Sequence, residues 1–225
     1  MSDALRADAP RVMSVQVGRI APLGAQGVPS GFVKSAVAGP VRVAPLGLDG
    51  DEQADLTVHG GPDKAVYFYP SEHYPRWLVD VPRHEHALHA GAFGENITTV
   101  GLDESSVAIG DVFRIGSAEF QATQPRQPCF KLGLRFNDSS LGRIMMQTGR
   151  TGWYARVLKP GSLGAGDAIE ILRRPNPAWT IGRFNAFVLH RRAAKAEIVE
   201  AAALEGLAEV WKTGLEESLA DRRGR

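Results

Sequence analysis

Between Val12 and Leu172 glycine and proline cut the chain into short apolar pieces, and this punctuation constrains the fold more than any other feature. Alternation through Val15 and Val17 predicts a strand over 12–20. Residues 28–43, rich in Gly and Pro, predict short strands and turns, and the aromatic, β-branched run 66–69 another strand. Residues 112–115 and 118–122 read as a hairpin turned by Gly116-Ser117. Further strands fall at 153–158 and 168–172 across a Gly-rich turn. Two short helices interrupt them: 71–79, capped by Ser71 with Pro75 in its first turn, and 141–147, closed by Gly149. Strands this short, with turn signals every ~8–12 residues, are those of an all-β barrel or sandwich.

After Pro175 the period changes. Ile181, Phe184, Val188 and Leu189 recur at helical spacing behind Thr180, a good N-cap. Residues 193–203 are rich in alanine, the strongest helix former, and Leu207, Trp211 and Leu215 extend the period. The chain therefore divides into a flexible start (1–11), a mainly β domain (12–175) and a small three-helix domain (176–225). No internal repeat or low-complexity segment interrupts them. With 225 residues, 44% hydrophobic and 23% charged, this is the composition of an ordinary globular protein. A net charge of +1 provides no global field for nucleic acid or an acidic membrane, so any anion site must be built locally. No apolar run approaches the ~20 residues of a membrane span, and the first residues lack a secretory h-region. Together with one unpaired cysteine, these features point to the cytoplasm.

That cysteine, Cys129, lies in Gln124-Pro125-Arg126-Gln127-Pro128-Cys129-Phe130-Lys131. The prolines stiffen the backbone before it, and Arg126, Lys131 and Arg135 favour thiolate, the form that attacks electrophiles or ligates soft metals. A small buried hydrophobe is the alternative role for a free cysteine. His59-Gly60-Gly61-Pro62-Asp63-Lys64 can form a concavity of backbone N–H groups with His59 and Lys64 as added donors, or a plain loop with a solvated lysine. Asn96, in Phe93-Gly94-Glu95-Asn96, can bind a ligand edge or cap a turn. Arg150, between glycines ahead of an aromatic strand, suits phosphate, or an ordinary surface loop. His84, His86 and His89 match no zinc spacing. His190, beside Arg191 and Arg192, suits a helix C-terminus. Trp153, Trp179 and Trp211 are expected in the core.

In this order these segments resemble one family. Gly50-Asp51-Glu52-Gln53-Ala54-Asp55, the His59-Gly60-Gly61 turn, Asp63-Lys64-Ala65-Val66 and Tyr69-Pro70-Ser71-Glu72-His73-Tyr74 are similar to the MOSC domain, especially its YiiM type. So are Phe93-Gly94-Glu95-Asn96, Ile109-Gly110-Asp111, Pro125-Arg126-Gln127-Pro128-Cys129 and Gly149-Arg150-Thr151-Gly152-Trp153-Tyr154. The resemblance implies a MOSC-type β-barrel with short helices, followed by a C-terminal three-helix domain. It further implies a molybdenum cofactor (a molybdopterin) whose metal takes Cys129, in a reductase of N-hydroxylated compounds such as 6-hydroxylaminopurine. Lys64, Arg126 and Arg150, with His59 and Asn96, are then the candidates for the pterin phosphate and ring, and His59 for a proton relay beside Cys129. Phe130 stands where the family often has tryptophan. No cysteine motif for an iron–sulfur cluster and no flavin signature accompany these motifs, so an external electron-donor protein is expected. A homodimer is compatible with the type, while nucleic acid and membrane are not expected partners.

Other readings of the same residues are a non-catalytic cofactor carrier, a sulfur carrier with a persulfide on Cys129, and a metal-free thiol redox protein. The last lacks a resolving cysteine. The terminal helices are a candidate interaction element.

Overall fold

The computed structural model describes residues 9–189 and 193–221; His190, Arg191 and Arg192 lie outside the described residues, as does most of the expected flexible start. Short strands come first: β1 (Arg11–Val17), β2 (Ala21–Leu23), β3 (Val28–Ser30), β4 (Ser35–Ala36), β5 (Val41–Ala44) and β6 (Gly47–Leu48). A 3₁₀ turn at Pro62–Lys64 leads into β7 (Val66–Pro70), helix α1 (His73–Asp80), a second 3₁₀ turn and β8 (Ile97–Val100). The predicted hairpin is β9 (Val112–Ile115) and β10 (Ala118–Pro125), with Ile115 opposite Ala118 across Gly116-Ser117. Helices α2 (Phe130–Phe136) and α3 (Ser140–Thr148) precede β11 (Trp153–Lys159), β12 (Gly161–Leu163) and β13 (Ile169–Arg173). The chain ends in α4 (Ile181–Leu189), α5 (Lys195–Ala202) and α6 (Glu209–Asp221).

The main sheet has the order β13-β9-β10-β11-β7-β8-β1-β4, with β12-β5-β6 and β2-β3 as smaller sheets. Among the described residues only β7 and β8 run parallel in it, because the chain crosses through α1 before returning beside β7. The expected barrel is not closed. Among the described residues the seam between β1 and β13 is joined by the bridge Arg11↔Ala168 and by bonds such as Val12 N–H to Asp167 O (2.9 Å), not by a strand ladder. The reason lies in β1: one side is taken by β8, and on the other its end pairs with β4, leaving only its first residues for the far edge.

Phe68, Phe113, Phe120 and Trp153 fill the sheet's interior, Phe68 stacking on Trp153 at 5.8 Å. Trp179, Ile181, Phe184, Ile198 and Leu207 belong to this same continuous cluster. The three terminal helices form, with Thr180 Oγ1 accepting the Arg183 N–H at 3.1 Å. Trp211 of α6 lies 5.3 Å from Phe184 of α4, and the buried faces of α4 and α5 merge with the sheet's core, against which α6 packs through half-buried Trp211 and Leu215. A second aromatic layer joins Tyr67, Tyr69, Trp77, Phe93 and Phe136. Ser71 does not cap α1, which begins at His73 behind Glu72.

Candidate functional site

Strand β10 ends where Pro125 faces Trp153 of β11, and the chain then turns through Arg126-Gln127-Pro128 to place Cys129 in extended backbone just before α2. From the other side comes the loop before β7. Positive φ at Gly60 and Gly61 (73° and 80°), where a side chain would be strained, turns that loop so that His59 faces Cys129. Cys129 thus stands where two cavities meet. The inner one, about 90 Å³, is lined by Phe32, Lys34, Asp51, Tyr67, Asn96 and Arg126. The outer one, a cleft of about 880 Å³, runs from Cys129 and Phe130 to α6. His59, Lys64, Lys131 and Tyr154 border both.

Partial burial alone would raise the Cys129 thiol. Hydrogen bonding from His59, the Arg126 charge and the Lys131 backbone N–H outweigh it and bring the pKa down to about 7. Arg126 is 3% exposed, and among the described residues no carboxylate pairs with it. Its guanidinium lies over Tyr67 (5.2 Å) and Phe32 (5.6 Å) and meets Met145 Sδ at 3.3 Å. Burial would lower its pKa, but the phenols of Tyr67 and Tyr154 and the Cys129 thiolate hold the charge in place. A buried guanidinium without a carboxylate, beside a thiol that is half ionised near neutrality, favours an anionic group containing a soft metal.

Residues 55–170 match the MOSC domain family. The chain belongs to the MOSC family. It is 45% identical to protein YiiM of Escherichia coli over 149 residues, 66% of either chain. The crystal structure of YiiM from Geobacillus stearothermophilus superposes with a TM-score of 0.79 at 33% identity, covering 93% of this chain and 99% of that one. A protein named reductase from Gibberella moniliformis is 38% identical over 76% of this chain, which spans 30% of that longer protein. MOSC membership ties the chain to molybdenum-cofactor chemistry.

Within this MOSC fold the structure brings Cys129, His59, Lys64, Arg126 and Asn96 to the joined cavities. Lys64 folds back, its Nζ donating to Val58 O at 2.9 Å, and burial lowers its pKa. Asn96 is a brace. Its Nδ2 donates to Asp51 Oδ2 (2.8 Å) while its Oδ1 accepts the Tyr67 N–H (3.1 Å). Arg150 is not brought to the site. It lies 4.5 Å over the Trp77 ring and pairs with Asp80, because the αL turn at Gly149 points it toward α1 instead. His84 pairs with Asp138 at 2.9 Å, His86 with Glu85, and His89 bonds to Ala90 O. Sequence reasoning missed the buried Lys34–Asp51 pair that lines the inner cavity, and also Tyr154 and Gln127. Asp51 stood within a recognised motif, but nothing local in the sequence marked Lys34 as its partner, 17 positions away.

Proposed function

We propose that this MOSC protein holds the molybdenum cofactor through Cys129 and reduces the N–O bond of N-hydroxylated compounds such as 6-hydroxylaminopurine to the amine. The observation that carries the reading is the Cys129 thiol, near pKa 7 beside a buried Arg126 that no carboxylate neutralises among the described residues. A relative bearing the name reductase supports the reaction class. Cys129 is the metal-ligating residue; Arg126, Lys64 and Lys131 supply positive charge for a phosphate-bearing pterin, with Asn96 stiffening the wall. When bound, the cofactor supplies the two electrons of R–NHOH + 2e⁻ + 2H⁺ → R–NH₂ + H₂O, replenished by an external donor protein. His59 can hold a proton beside Cys129 Sγ for this exchange. Full turnover at neutral pH in a His59→Ala enzyme would remove that role. The cytoplasm and a homodimeric assembly belong to this proposal. Among the described residues no helix is long and apolar enough to cross a membrane.

The test is molybdenum content by mass spectrometry on protein from a cofactor-competent host, with Cys129→Ala in parallel, followed by hydroxylaminopurine reduction with a chemical electron donor. Near-stoichiometric metal that vanishes in the variant, with turnover in the wild type, is expected. Metal bound without turnover would favour a cofactor carrier, and no metal in either protein would sink the reading.

A further inference from the structure

The outer cleft carries features that holding a cofactor does not require. Its far wall is helix α6, through Val210, Trp211, Gly214 and Leu215. That helix is tied down beside the site. The Glu209 N–H donates to Asp63 Oδ2 (2.8 Å), and the Ala208 N–H to Thr123 O (3.1 Å), one residue before Gln124. Gly214 sits mid-helix, where glycine is a worse choice than any residue but proline. A Cβ built there would meet nothing within 4 Å, so packing does not demand glycine; a side chain at this position would instead narrow the cleft. Gln124 also lines the cleft, is 3% exposed, and its Oε1 is buried with no hydrogen-bond partner. A buried carbonyl left unpaired is costly unless a ligand donor satisfies it.

We propose that the part of the outer cleft beneath α6 is the substrate's own subsite. Gly214 leaves room there for a planar, apolar-faced ring, and the Gln124 carboxamide reads that ring's N–H edge. This rests on the proposed reductase reading, since it assigns the position of the substrate relative to Cys129. A carboxamide pairs well with an amine placed beside a ring nitrogen. Trp211, held at 5.3 Å from Phe184, offers a rigid aromatic wall.

The test uses full-length protein from the cofactor-competent host and two flat probes followed by equilibrium dialysis: 2-aminopurine, and quinoline, which has no N–H. Gly214→Leu is expected to weaken both probes at least about tenfold, with molybdenum content and melting temperature undiminished. Gln124→Leu, checked by melting and repeated as Gln124→Met, is expected to weaken 2-aminopurine about tenfold and leave quinoline unchanged. Three results would overturn the proposal: wild-type protein that binds neither probe, Gly214→Leu that binds them as well as wild type, or Gly214→Leu that loses molybdenum. The last would place cofactor rather than substrate under α6. Because the readout is binding, absence of N–O reduction would refute the reductase reading alone.

Discussion

Cys129 is poised by groups both near to it and distant from it in sequence. The Arg126 charge and the Lys131 N–H come from its own turn, but His59 arrives from another loop. In cofactor-free protein the rate of iodoacetamide alkylation should therefore climb with pH, reaching half its maximum near pH 7. His59→Ala removes a contact that favours thiolate, so its midpoint should move upward; an unchanged midpoint would refute the coupling. Below the site, Asp51 accepts hydrogen bonds from the Gly18 N–H (2.8 Å), Asn96 Nδ2 (2.8 Å) and Gln53 Nε2 (3.1 Å) while pairing with the buried Lys34. Burial pulls the Lys34 pKa down and Asp51 opposes it, so the pair is held together by mutual need. Asp51→Leu strands that ammonium and should cost about 3–5 kcal/mol in denaturant unfolding. Loss of less than about 1 kcal/mol would mean that Lys34 escapes to water.

At the level of elements, the turn joining α3 to β11 positions the site as much as any side chain in it. Gly152 adopts φ 62°, and a Cβ there would lie 2.2 Å from Phe68 O on the neighbouring strand β7. Its carbonyl also accepts the Arg126 N–H. Gly152→Ala should therefore destabilise the fold by at least about 2 kcal/mol and disturb Arg126, read as an upward shift of the Cys129 alkylation midpoint. A stable variant with an unmoved midpoint would contradict the placement. Most elements were legible locally. The hairpin at Gly116-Ser117, the strand 66–69 and the helix before Gly149 follow from turn chemistry and period. Helix α2 was not legible, because Phe130, Leu132 and Phe136 form too short an apolar stripe to separate from a loop.

In the whole molecule the terminal helices and the sheet share one apolar cluster. Full-length protein should accordingly unfold in a single transition, with fluorescence and circular dichroism coinciding. A chain ending before Trp179 should bind hydrophobic dyes and lose cooperativity; two separate transitions in the full-length protein would instead support independent domains. The sequence by itself determined the family and most strands and helices, because periodicity, turn residues and ordered motifs act over a few neighbours. Only the tertiary structure decided that the sheet stays open, that Arg150 serves Asp80 and Trp77 rather than the cavity, and that His59, Lys34 and α6 gather around Cys129. Those outcomes depend on which distant surfaces meet when apolar area is buried, and no local pattern encodes such meetings.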